Sequence, residues 1–222
     1  MLERTRKRSK AAPSRRQLLL GAATFTLIGG LIDAVVRPAA AAKPASAAGF
    51  MEDLGARAVS MLGDPAIDDT LRQDNFRQLL TEGFDLPAIA RFILGRFWKG
   101  TSDSQRTTFI DVFQQVMAAR FAPYFTGASA DSFEIKGAIE DSDKPGLFTV
   151  NSKVKLDSGK FAEVDWRVVE RKGGYRIVDV VTEGVSMGIT LRSEYGSILG
   201  QTGGDIDPLI EQLRAKIKQA ST

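Results

Sequence analysis

The sequence predicts an α+β domain, with a curved antiparallel sheet of about four strands packed against helices. Three observations predict it. Apolar residues recur at helical spacing from about residue 50 to 124. After Gly127 the period changes from about 3.6 to 2 and stays there to Glu183. Two further amphipathic stretches then close the chain. A bent sheet with helices over its apolar face is cone-like, and a cone can hold an apolar cavity.

The first 42 residues read as an address, not as fold. Residues 1–16 hold Arg4, Arg6, Lys7, Arg8, Lys10, Arg15 and Arg16 against the single acid Glu3. An apolar run follows, "QLLLGAATFTLIGGLI", and then small residues, "PAAAAKPASAAG". That order predicts a signal peptide over 1–42, cleaved after Ala42 or after Ala47. The run is shorter than the roughly 20 residues that span a bilayer. An uncleaved N-terminal anchor is the competing reading. "SRRQLLLG" adds a twin-arginine signature, the mark of export in a folded state. Residues 43–49, rich in Ala, Ser, Pro and Gly, read as a linker, and the domain is expected over 50–222.

Setting the leader aside reverses the charge. Residues 1–42 hold 8 of the 30 basic and 2 of the 27 acidic residues, so residues 43–222 carry a net charge of −3. The basic balance belongs to the leader, and the domain has no electrostatic footprint for nucleic acid. The chain has no cysteine and no histidine. This excludes disulfides, a zinc site of the usual Cys/His kind, and any catalytic triad that needs His or Cys.

The elements follow in order. Helices are expected at about 50–62, at 69–82 with Asp68 or Asp69 as cap, and from Asp85 as N-cap with Pro87 in the first turn. A fourth, at about 102–124, opens on the capping-box pair Ser102 and Gln105. Then come strands. "SFEIKGAI" places Phe133, Ile135, Gly137 and Ile139 on one face, and "FTVNSKVKL" places Phe148, Val150, Ser152, Val154 and Leu156. "AEVDWRVV" alternates Ala162, Val164, Trp166 and Val168 against Glu163, Asp165 and Arg167, and "YRIVDVVTE" follows. "DSGK" and "KGG" are hairpin turns, so the strands form an antiparallel meander. Terminal helices are expected at about 186–201 and 205–219.

Catalytic constellations are weak. Asp165 and Arg167 share a strand face and Asp179 could sit across from them, but a cross-strand ion pair explains the pattern. Ser186 lies in "GVSMG", a G-x-S-x-G pattern after a strand, yet no histidine is present to act as its base. No enzymatic role, cofactor or metal is expected. The stronger signal is apolar excess in "FDLPAIARFILGRFWKG", residues 84–100. Advanced as one helix at 100° per residue, its apolar arc covers about half the circumference, with Phe92 outside it beside Arg96 and Lys99. Two readings fit: a helix wedged between sheet and another helix, or one wall of a ligand cavity.

Two long stretches carry a family resemblance. "FDLPAIARFILGRFWKGTSDSQRTTFIDVFQ", 84–114, and "VDWRVVERKGGYRIVDVVTEGVSMGITLRSEYGSIL", 164–199, resemble the MlaC-like periplasmic phospholipid-binding proteins of the bacterial lipid-asymmetry pathway, also called the toluene-tolerance family. Gly203-Gly204 before a Leu/Ile-rich terminal helix fits as well, and the resemblance covers about residues 50–218. It implies a periplasmic carrier without enzymatic activity, whose domain, 50–222, holds the acyl chains of a phospholipid between sheet and helices. It implies two partners: an outer-membrane lipoprotein complex and an inner-membrane ABC transporter with an MCE ring. A hopanoid-associated branch of the family, an enzyme on the same scaffold, and an interaction protein with a solid core are the alternatives. On the carrier reading, the tail-lining residues are Phe92, Phe97, Val116, Met117, Phe121, Phe148, Val150, Trp166, Val180, Met187 and Ile189. Gly184, Gly188, Gly203 and Gly204 are candidate hinges.

Overall fold

The computed structural model describes residues 46–155 and 159–220. The expected leader, the junction as far as Ala45, and Leu156 with Asp157 and Ser158 of the first hairpin turn lie outside them. Helix α1 spans Ala47–Leu62, with the Ser46 hydroxyl accepting from Gly49 N at 3.1 Å. Residues 47–49 are therefore helical and not linker, because Ser46 supplies an N-cap that the small-residue composition concealed. Helix α2 spans Asp69–Gly83, capped by Asp68, whose carboxylate accepts from Leu71 N at 2.8 Å. Between them Arg72, only 2 % exposed, donates to the carbonyls of Leu62, Asp64 and Ile67 and fixes the α1–α2 turn.

Helix α3 spans Leu86–Leu94, capped by Asp85 with Pro87 in its first turn. The expected longer helix ends here. Gly95 takes φ +55°, and Gly95–Gly100 continue as a tighter 3-10 turn. Phe97 and Trp98 thus leave the α-helical wheel that grouped them with Leu86 and Ile93. Helix α4, Asp103–Phe121, opens on the Ser102–Gln105 capping box and runs into a second 3-10 turn at Ala122–Phe125.

Five strands follow where about four were expected: β1 Phe133–Glu140, β2 Leu147–Lys155, β3 Phe161–Arg171, β4 Gly174–Thr182 and β5 Val185–Ser186. They form one antiparallel meander in sequence order. The added β5 is two residues long, joined to β4 by Glu183 and Gly184, with φ of 53° and 77°. Positive φ at both central residues is the turn geometry that matches strand twist.

Register pairs Phe148 with Val168, Val150 with Trp166, Ser152 with Val164, and Trp166 with Val180. These residues share the inner face. A bulge between Ile135 and Gly137 shifts β1, so that Ile139 pairs with Thr149 on the other face and is exposed. Strict alternation had kept Ile139 with Phe133 and Ile135; one extra residue reverses the phase of everything after it. Helix α5 spans Met187–Gln201 and α6 spans Asp207–Ala220. Gly203 and Gly204 take φ of 66° and 91°, and Gly204 N bonds back to Leu199 O at 2.7 Å, closing α5.

Helix α1 lies against β1–β3, while α3 packs on α5 and α4 on α6. Two apolar cores result. One is helical, centred on Ile93, Phe109, Tyr195, Leu199, Leu209 and Leu213. The other joins α1 to the sheet through Phe50, Met51, Val150, Val168, Tyr175 and Ile177.

Candidate functional site

The predicted tail-lining residues fall into three groups. Phe97, Val116, Met117, Phe121 and Met187 belong to the helical core or pack on it. Phe148, Val150, Trp166 and Val180 belong to the sheet core or pack on it. Phe92 and Ile189 belong to neither: they are 44 % and 63 % exposed, on the outer surface of α3 and α5. Neither packs on the apolar interior. Within α3, Phe92 lies away from the buried face of Leu86, Ala90, Ile93 and Leu94.

Within the first two groups, burial separates centre from edge. Val150 and Met117 are fully packed. Val116, Phe121 and Met187 on the helical side, and Trp166 and Val180 on the sheet side, are only partly buried. Among the described residues, Phe84 is the one partly buried apolar side chain that packs on both cores. It is placed by a parallel bridge to Ile177, with Asp85 N donating to Ile177 O at 2.9 Å. Arg171 of β3 donates to the Asp85 carboxylate at 2.9 and 3.1 Å, which ties the start of α3 to the sheet. Phe84 was not among the expected lining residues. Its role depends on pairing a connecting residue with a strand far away in sequence, which no local pattern announces.

Two polar groups sit inside this apolar frame. The Trp166 indole N–H donates to the Ser152 hydroxyl at 2.9 Å, and that hydroxyl donates to Val164 O at 3.0 Å. The indole can therefore present its ring to an apolar ligand with its one donor already satisfied. Tyr195 is buried edge-on to Phe109, and burial first, then the Glu194 carboxylate, push its phenol well above the usual range. It is a neutral core group at any physiological pH.

The charged strand face and the serine motif resolve into structural contacts. Asp165 accepts from Asn151 at 2.7 Å. Arg167 stands 3.9 Å from Asp179. Asp179 accepts from the Ser186 hydroxyl at 2.6 Å and from Gly188 N at 2.9 Å, while Ser186 accepts from Ile189 N at 3.1 Å. Ser186 is thus the N-cap of α5, and Asp179 braces the same turn. A separate groove of about 300 Å³ between α4 and α6 is lined by Gln105, Thr108, Asp207, Glu211 and Arg214 among others. Its polar lining does not suit acyl chains.

Comparison with known proteins agrees with this frame. The family described as MlaC protein matches residues 56–215. The intermembrane phospholipid transport system binding protein MlaC of Haemophilus influenzae is 26 % identical over 132 residues, which is 57 % of this chain and 59 % of that relative. The match thus spans well under two thirds of the relative's length. A phospholipid-binding protein from Ralstonia solanacearum, solved in complex with a phospholipid, superposes with a TM-score of 0.65. It is 20 % identical and covers 80 % of this chain and all of the other, a likeness of fold.

Proposed function

This chain belongs to the MlaC protein family, and from that premise we propose that it is a periplasmic lipid carrier. It holds the acyl chains of a phospholipid and moves the lipid between an inner-membrane MCE/ABC transporter complex and an outer-membrane lipoprotein complex. Residues 1–42 are its export signal on this reading, and residues beyond the leader form the lipid-binding domain.

The observation that carries the proposal is the division of the apolar interior. Here Trp166 and Val180 on the sheet core, and Val116, Phe121 and Met187 on the helical core, stay partly buried, and Phe84 packs on both cores. That boundary is where acyl chains would complete the packing. The Ralstonia solanacearum protein of the same fold was solved with a phospholipid, which supports the ligand class. The lack of histidine and cysteine, with Ser186 and Asp179 occupied in capping α5, supports a role without bond-making chemistry.

Energetics explain why such a carrier is needed. Two acyl chains carry about 30 methylenes, and exposing them to water would cost on the order of 24 kcal/mol at about 0.8 kcal/mol each. Desorption unaided is therefore very slow. A useful carrier must match the bilayer and not greatly exceed it, so that partners can load and unload it.

The test is mass spectrometry of lipid extracted from the purified protein. A glycerophospholipid at about one per chain is expected. A sterol-like mass would indicate the hopanoid branch instead, and protein that is empty and takes up no added phospholipid would sink the carrier reading.

A further inference from the structure

Phe92 and Ile189, the two expected lining residues that belong to neither core, lie on adjoining helices α3 and α5. Phe92 lies near the end of α3 and Ile189 in the first turn of α5. Gly188 brings the helices together: a Cβ there would stand 3.2 Å from the Phe92 ring and 3.0 Å from Asp179 Oδ1. Arg192, one turn after Ile189 on the same helix face, lays its guanidinium 5.1 Å from the Phe92 ring centroid. It also donates to Phe92 O at 2.9 Å. Phe92 is thus held with a cation fixed on its ring, and Ile189 stands one turn from that cation along α5.

The two chain segments that carry these residues hold charge of one sign. Residues 86–102 and 184–193 contain Arg91, Arg96, Lys99 and Arg192 and no acidic residue. All four cations are exposed, and none makes an ion pair among the described residues. The acids that flank these segments are engaged or set apart: Asp85 pairs with Arg171 at 2.9 Å, Asp103 with Arg106 at 2.9 Å and Glu194 with Lys216 at 2.7 Å, Asp179 braces the start of α5, and Glu183 lies at the β4–β5 turn. Residues 43–222 as a whole are net negative. Four exposed cations on two adjoining segments of a negative body orient the molecule in the field of an anionic surface.

We propose that the surface formed by Phe92, Ile189 and Arg192, with Arg91, Arg96 and Lys99 on the same α3 and 3-10 segment, docks on the headgroup layer of an anionic phospholipid bilayer. The exposed apolar side chains enter the interface and the arginines meet lipid phosphates, the pairing that interfacial anchors use. A negative surface attracts this face and repels the rest, so docking also sets orientation. The inference builds on the lipid-carrier reading, which brings the protein to membranes, but the two fail separately.

The experiment is flotation of the purified domain with vesicles of phosphatidylcholine alone and with about a third phosphatidylglycerol. The expected result is binding to the anionic vesicles at least about tenfold tighter than to the neutral ones, weakened by salt. Arg192→Gln should lower anionic binding about fivefold. Phe92→Ser with Ile189→Ser should lower it further while leaving co-purified lipid and circular dichroism unchanged. Equal binding to both vesicle types, no binding to either, or full binding by the double variant overturns the docking surface. No flotation, with capture instead by a protein of the transport complexes, means that the patch serves a protein partner. Loss of co-purified lipid in the double variant returns Phe92 and Ile189 to the tail site. Co-purified lipid without flotation leaves the carrier intact and removes the docking surface.

Discussion

Narrowing the boundary between the two cores tests where the tails lie. Val180 is the chosen site: partly buried, on β4, paired across the sheet with Trp166, and outside the fully packed centre. Replacing it with tryptophan fills the boundary with an indole. If that excludes roughly three methylenes of an acyl chain, the lost burial is about 2.4 kcal/mol, or roughly fiftyfold in lipid affinity. Val150→Trp is the contrast. Val150 is 0 % exposed, so the same ring has no room and overpacks the core, destabilising the fold by about 1–3 kcal/mol. Displacement of a fluorescent phospholipid measures the first effect, and thermal melting the second. Val180→Trp is expected to melt near the wild type and bind weakly. Wild-type affinity in Val180→Trp and in matching variants at Phe121 and Met187 would refute the placement, since the tails would then lie elsewhere.

Other outcomes follow from single contacts. Arg72→Leu strands three carbonyls that the guanidinium now satisfies, and should cost about 3 kcal/mol, read as a melting temperature lower by roughly 10 °C. Asp179→Ala removes an acceptor from the Ser186 hydroxyl and Gly188 N; a loss of about 1–2 kcal/mol in urea unfolding is expected, without new or lost hydrolytic activity. Asp165→Asn with Arg167→Gln disturbs only a half-exposed sheet face and should change stability by under about 1 kcal/mol and lipid content not at all. Gly55→Leu should loosen α1 from the sheet, because even a Cβ at Gly55 would meet the Phe133 ring at 2.3 Å; faster amide exchange in α1 and β1 is the readout.

Much of the fold was legible in the chain because its signals are local. Asp68, Asp85 and the Ser102–Gln105 pair cap helices within three residues of themselves, so their spacing alone announces the helix starts. Alternation located β1 to β4, and the order of elements was sufficient for an α+β assignment with a meander. The absence of histidine and cysteine removes whole classes of chemistry from the sequence alone. Tertiary structure decided what depends on distant partners. The bulge that turns Ile139 outward arises from pairing with β2, and Gly95 bends the chain away from α3 where a uniform wheel would carry Phe97 onward. Phe84 joins two cores through a bridge to Ile177 that lies 93 positions along the chain. Phe92 and Ile189 have the same apolar character as Phe121 and Met187, yet the first two face water and the others face the interior. Side-chain chemistry sets how much a residue gains from burial; only the packing of other elements around it determines whether that burial occurs.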